Sequence, residues 1–161
     1  MTLGAGATCG DDGRPPASEQ PRDDEIRATI DAVWAAAGVD RDQVAVAEYA
    51  YTFAPDNRGC AELARDDRWF GERASHLSGG DGEQADIEDA IVGHLEGEGF
   101  TVQRYRSTHP DSPLRAYLAV QDELVVDGTL DGAGYATVNV RSGPCAPSFG
   151  GFDPELYELE P

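Results

Sequence analysis

The feature that most restricts the fold of this 161-residue chain is a series of hairpin-spaced segments in its second half. Residues 100–107, 114–130 and 135–141 are rich in β-forming side chains, and the polar residues 121–123 interrupt the long middle segment. Residues 131–134, Asp-Gly-Ala-Gly, have the composition of a hairpin turn. Consecutive hairpins join neighbouring antiparallel strands, so this half of the chain predicts an antiparallel sheet.

Two segments have the apolar periodicity of amphipathic helices. The first begins at Asp23 or Asp24, which can cap it, and ends before Gly38. Its predicted buried stripe comprises Ile26, Ile30, Val33, Trp34 and Ala37. The second spans 83–97, and its stripe comprises Ile87, Ala90, Ile91, His94 and Leu95.

Two further strands are predicted between the helices, a clearly alternating one over 44–53 and a weaker one over 68–77. The resulting order α-β-β-α-β-β-β-β favours an α+β two-layer sandwich, with two helices on one face of a mainly antiparallel sheet of about five or six strands. Residues 23–161 are predicted to form this single domain, with an extended C-terminal tail from about residue 146. Residues 1–22 are predicted to be a disordered tether, because they are rich in Gly, Pro, Asp and Ser and lack periodicity.

Two of the three cysteines, Cys60 and Cys145, lie at the ends of predicted strands within this domain. Both lie in turn-like contexts, which favours a disulfide that closes a loop of about 85 residues. The alternative is a pair of unrelated buried thiols in a cytosolic protein.

The charge of the chain excludes some classes of partner. All twelve basic residues are Arg, against 31 Asp and Glu, and the formal net charge is −19. A nucleic-acid-binding protein needs a positive surface, and an anionic membrane repels an acidic one, so neither is a predicted partner. The remaining interpretations are a solvated acidic surface, an adaptation to high salt, or attraction of a basic partner.

The sequence contains no recognisable catalytic or metal-binding pattern. His76, His94 and His109 are scattered, no C-x₂-C pair accompanies them, and neither a G-x-S-x-G elbow nor a phosphate-binding loop occurs. Residues 127–132 begin like a calcium loop but lack its closing Glu, and a hairpin turn explains them. We therefore predict no catalytic residue, no metal and no cofactor.

The remaining cysteine, Cys9, follows Gly6-Ala7-Thr8 and precedes Gly10-Asp11-Asp12-Gly13. This arrangement resembles the small cell-envelope lipoproteins of bacteria, especially those of high-GC Gram-positive species. The resemblance implies that the thiol of Cys9 is lipidated, that its amine becomes the new N-terminus, and that the following residues are a spacer. An incidental cysteine in a disordered tail is the alternative.

Three function hypotheses follow. The leading one is a non-enzymatic extracytoplasmic binding module, secreted or anchored to the cell membrane through Cys9, for an unidentified envelope ligand or protein. The second is an acidic interaction protein, such as an immunity protein or an inhibitor, that binds a basic protein and resides in the cytoplasm. The third is a small hydrolase with an unrecognised site.

Overall fold

The computed structural model describes residues 22–53, 60, 62–79, 84–149 and 151–161. It contains two α-helices and eight β-strands within these ranges. The helices are α1 (Arg22–Ala36) and α2 (Gln84–Gly97). The strands are β1 (Val44–Val46), β2 (Ala50–Phe53), β3 (Trp69–Leu77), β4 (Thr101–Ser107), β5 (Arg115–Gln121), β6 (Leu124–Leu130), β7 (Ala136–Ser142) and β8 (Tyr157–Leu159). Short 3₁₀ turns occupy Arg41–Gln43, Arg65–Arg68 and Ala146–Phe149.

The eight strands form one sheet in the order β1-β3-β7-β6-β5-β4-β8, and β2 also pairs with β3. Every pairing is antiparallel. Both helices contribute to one core cluster with side chains from a single face of the sheet. The predicted α+β class and the mainly antiparallel sheet are therefore confirmed.

The predicted count of five or six strands is wrong, for two reasons. The segment predicted as one strand over 44–53 is two strands, because an extra residue interrupts its pairing: Val46 pairs with Ser75, whereas Ala50 pairs with Glu72. Such a bulge bends a strand and divides its ladder. The second reason is β8, which pairs with β4 at the far edge of the sheet and was not predicted as a strand.

The helix-covered face of the sheet holds the main hydrophobic core. Alternate strand residues point to this face, including Leu77, Tyr117, Val126 and Val138, and the apolar stripes of both helices pack on them. Most of the predicted stripe residues are buried, with Ile30 and Trp34 1% exposed, Ile87 6% and Ile91 0%. Ala37, Ala90 and His94 are only half-buried.

Polar contacts fix α1 on this face. Trp34 Nε1 donates to Ser75 Oγ at 2.9 Å, and that hydroxyl donates to the carbonyl of Val138 at 2.5 Å. At the start of α1, the Arg73 guanidinium donates to both carboxylate oxygens of Asp23, at 2.7 and 3.0 Å. The hydrogen bond from Arg73 holds the pKa of the Asp23 carboxyl below its usual range. The bond to Ser75 thus satisfies the indole N–H of the buried Trp34 ring, and the Arg73–Asp23 pair joins the start of α1 to β3.

The helix-free face, opposite the helices, is covered only in part. Cys60 and Cys145 lie near one end of it and are joined by a disulfide, with their Cα atoms 5.5 Å apart, as the sequence predicts. The two cysteines pack with Phe70 and Val125 in a small second cluster. A covalent link thus secures the loops that cover this end of the face.

A tyrosine passes over a glycine in the middle of the sheet. Tyr117 is fully buried, faces Gly128 across the β5–β6 ladder, and donates its hydroxyl to the carbonyl of Thr137 at 2.7 Å. A Cβ at Gly128 would collide with that hydroxyl and carbonyl. Glycine at position 128 is required here because the ring occupies the space of a side chain.

Candidate functional site

The helix-free face carries a connected set of polar side chains, here called the polar row. Asp127, only 6% exposed, is its centre. Its carboxylate forms an ion pair with Arg141 and accepts a hydrogen bond from Asn139 Nδ2 at 3.2 Å. Arg141 Nε also lies 3.4 Å from a carboxylate oxygen of Glu72, and Thr52 donates to Glu72 at 3.2 Å.

Strand register explains how these residues meet. Asp127 on β6 pairs with Asn139 on β7, and Arg141 on β7 pairs with Glu72 on β3. Side chains alternate between the two faces of a sheet, so residues two apart on one strand share a face. Four members of the polar row therefore lie on the three adjacent strands β3, β7 and β6, with Thr52 beside them on β2. The ion pairs of the row compensate the cost of burying Asp127.

Aromatic side chains flank the polar row. Tyr105 on β4 contacts Phe152, with ring centroids 5.0 Å apart, and Phe152 contacts Tyr157 on β8 at 5.4 Å. Near the opposite edge, His76 on β3 packs on Tyr135 at 5.4 Å. A sheet face with fixed polar groups and with aromatic side chains toward both edges is suited to hydrogen bonding and stacking with a ligand.

A second charged cluster lies between α2 and the sheet. Glu88 of α2 is 2% exposed, accepts from Arg115 Nε at 2.5 Å and lies 3.3 Å from Arg104 Nε. Arg115 also pairs with Glu160 near the C-terminus, and Arg104 pairs with Asp89. The hydrogen bond to Glu88 raises the pKa of the Arg115 guanidinium, against the opposing effect of burial. This cluster joins α2, two strands and the C-terminal segment, and its role is structural.

The structure does not bring the three histidines together. His76 lies on the helix-free face, His94 lies on α2 over the opposite face, and His109 is exposed in the β4–β5 loop. In the described part of the chain, no three His, Cys, Asp or Glu side chains are grouped to hold a metal ion. The carboxylates of the calcium-like segment are engaged elsewhere, Asp127 by Arg141 and Asp131 by the backbone N–H groups of Ala133 and Tyr135.

Of the predicted site residues, Cys60 and Cys145 are adjacent, whereas Cys9 lies outside the described residues. The sequence-based reasoning missed the polar row and the Glu88 cluster. The sequence did contain a signal for Glu88. This residue lies three positions before Ile91, and residues three apart on a helix are on the same side, so a charged side chain falls on the apolar stripe of α2. The polar row gave no such signal, since an ionisable residue on an exposed sheet face is common.

No protein-family model matches the chain, and no curated protein matches it either. Among solved structures, the crystal structure of the candidate lipoprotein LppA from Mycobacterium tuberculosis is similar to this chain. The sequence identity is 17%, the TM-score is 0.40, and the similarity covers 79% of this chain and 75% of LppA.

Among the described helices, none is both long enough and apolar enough to cross a lipid bilayer.

Proposed function

We propose that the protein is a non-enzymatic binding module that acts outside the cytoplasm, is tethered to the membrane through a lipid on Cys9, and presents its helix-free face to an envelope ligand. The observation that carries this proposal is the disulfide between Cys60 and Cys145. Disulfides persist in oxidising compartments and are rare in the cytosol of mesophiles.

The chemistry of the helix-free face supports binding rather than catalysis. Its central acid, Asp127, is occupied by Arg141 and Asn139, so it is poorly placed to transfer a proton. His76 packs against the ring of Tyr135. The polar row is fixed in position before any ligand arrives, which lowers the entropic cost of binding.

The test of location is fractionation of the native host expressing wild-type protein or Cys9→Ala. The wild type is expected in the membrane fraction, with a lipid mass on the N-terminal peptide that begins at Cys9. Cys9→Ala is expected in the soluble or secreted fraction, since a single thiol would carry the anchor. Free thiols at Cys60 and Cys145 in protein from cells, or an unchanged distribution of the variant, would refute the proposal.

The second candidate function is an acidic interaction protein with a basic protein partner. The observation that favours it is the formal net charge of −19, which leaves many carboxylates without an Arg partner. Such a surface accelerates encounter with a basic partner and slows encounter with an acidic one. Cytoplasmic localisation, with reduced cysteines, would favour this function over the first.

A further inference from the structure

A groove runs between the two helices on the outer side of the helix-covered face. It has a volume of about 300 Å³ and is lined by the first half of α1 and the last turn of α2, with Leu124 of β6 beneath. An adjoining depression of about 550 Å³ shares Glu25, Gln121 and Leu124 with it and extends to the β5–β6 turn. The two together are here called the interhelical groove.

The floor of the interhelical groove is apolar and its rim is acidic. The open apolar surface of the floor comes from Leu124, Ala28 and Ala32, and the core residues Leu95 and Phe100 lie beneath them with almost no exposed surface. The rim carries four carboxylates, Glu25, Glu98, Asp122 and Glu123.

Three of the four rim carboxylates lack a cationic partner among the described residues. Glu123 pairs with Arg22 at 2.9 Å. Glu25 accepts a hydrogen bond from the Ser142 hydroxyl at 2.7 Å, which leaves its charge uncompensated. Glu98 and Asp122 are exposed and have no side-chain partner in the described part of the chain. The rim is thus strongly negative for its size.

The backbone adds to this negative field. Glu98 directly follows α2, whose C-terminal end carries the negative end of the helix dipole. The positive end of α1 lies beside Glu25, but Asp23, Asp24 and Glu25 in its first turn offset it. Arg22 also lines the groove, but its pair with Glu123 offsets its charge, so the rim favours a cation over an anion.

We infer that the interhelical groove binds a basic, amphipathic segment of a partner protein. The apolar floor accommodates aliphatic or aromatic side chains of that segment, and the rim carboxylates pair with its Lys or Arg side chains. An acidic or neutral segment would leave three rim charges uncompensated, whereas a basic one compensates them. The inference goes beyond the proposed function, because it assigns a second binding surface on the opposite side of the sheet from the helix-free face, and it is independent of the location of the protein.

The part of the groove between the helices is at the lower end of the size range of ligand pockets and matches a few side chains of a docked helix or strand. A long basic side chain can place its aliphatic stem on Leu124 and the exposed Ala28 and Ala32 while its charge reaches the rim. The rim carboxylates attract the positive charge of the side chain. The apolar floor favours a basic side chain over a simple inorganic cation, because the cation has no aliphatic stem to bury.

The test uses the purified full-length protein and a synthetic twelve-residue helical peptide of Leu and Lys. Its counterpart with Glu in place of Lys is the control peptide. Amide chemical shifts are followed by NMR at physiological salt. The Leu/Lys peptide is expected to shift the amides of 25–32 and 94–98 most strongly, and the Leu/Glu peptide is expected not to bind.

Three variants separate the groove from a general charge effect. Glu25→Gln combined with Glu98→Gln is expected to weaken binding of the Leu/Lys peptide about tenfold, because two direct pairs are lost. Asp86→Asn combined with Asp111→Asn removes the same charge at exposed sites elsewhere and is expected to change affinity less than twofold. Ala28→Trp fills the groove without changing the charge and is expected to abolish the shifts.

Several results would overturn the inference. One is a set of chemical-shift changes spread over the whole acidic surface, and another is equal weakening of binding by the two double variants. A third is undiminished binding of the peptide to Ala28→Trp. A fourth is a dimer of the protein that the peptide dissociates, which would mean that a second copy already occupies the groove. A membrane location with no peptide binding would contradict this inference alone. Peptide binding by a cytoplasmic, reduced protein would contradict the proposed location alone.

Discussion

The two faces of the sheet are held in different ways. The helix-covered face buries the apolar stripes of α1 and α2 on strand residues such as Val126 and Val138, and its stability comes from excluding water. The helix-free face has a small apolar cluster around the Cys60–Cys145 disulfide, and beyond it a row of ion pairs centred on Asp127.

The difference shows where the chain can present function. The two helices bury the apolar side chains of one face in the core, and a groove between the helices stays open on their outer side. The helix-free face keeps charged and aromatic side chains near solvent, and needs a covalent link because its own apolar cluster is small. The same kind of substitution is therefore expected to have different effects on the two faces.

The largest expected effect is reduction of the Cys60–Cys145 disulfide. The chain-entropy model predicts a loss of roughly 4–5 kcal/mol for a loop of this length, because the reduced unfolded chain has more conformations. Urea unfolding of oxidised and reduced protein measures it. Cys9→Ser is the control and should leave the oxidised midpoint unchanged. Equal midpoints for oxidised and reduced protein would mean that the helix-free face needs no covalent support.

Adjacent valines on opposite faces give a matched test of the two apolar clusters. Val125 faces the disulfide and Val126 faces the helices, and both are 0% exposed. Val126→Ala is expected to cost about 2 kcal/mol or more, because the large core cannot collapse into the cavity. Val125→Ala is expected to cost about 1 kcal/mol less, since loops beside it can move inward.

The free energies of unfolding of the two alanine variants, measured in urea, decide this point. Reduction of the disulfide should shrink the effect of Val125→Ala and leave that of Val126→Ala unchanged, because only Val125 packs beside the cysteines. A larger cost at Val125 than at Val126 would reverse the comparison.

The polar row should matter less than the apolar core but more than a surface ion pair. Asp127→Asn is expected to destabilise the protein by about 1–2 kcal/mol, because it leaves the largely buried Arg141 with a single, longer ion pair. Glu158→Gln breaks the exposed pair with Arg106 and is the matched control, with an expected cost below about 0.5 kcal/mol. Thermal unfolding at neutral pH compares them; equal costs would show that the row is an ordinary solvated surface.

The smallest effect is expected from the titration of Tyr117 on the helix-covered face. Burial raises the pKa of Tyr117 well above its ordinary value of 10.0, so the unfolded chain loses this proton first. Stability is therefore fully present below pH 10 and falls as the pH rises through it, by about 1 kcal/mol between pH 10 and 11. Tyr117→Phe should flatten this slope in alkaline unfolding, and an unchanged slope would assign it to other tyrosines.

The sequence alone predicted the elements whose pattern is local. The apolar stripe through Ile30 and Trp34 predicted α1, and the turn at 131–134 predicted the last hairpin, because helical period and turn chemistry depend on neighbours in sequence. The Cys60–Cys145 pair was predicted too, since both cysteines lie in turn-like contexts at the ends of predicted strands. Cys9 remains a prediction from a resemblance, and it lies outside the described residues.

Only the tertiary structure decided the features that depend on distant partners. The bulge between β1 and β2 is set by pairing with β3, and β8 exists because β4 offers it an edge, so neither has a strong pattern of its own. The polar row needs the register of β3, β7 and β6, and the interhelical groove needs the relative placement of two helices. A local pattern records which side of a segment is buried, but the burial of a charge such as Asp127 depends on which strand lies beside it, and that is settled by long-range packing.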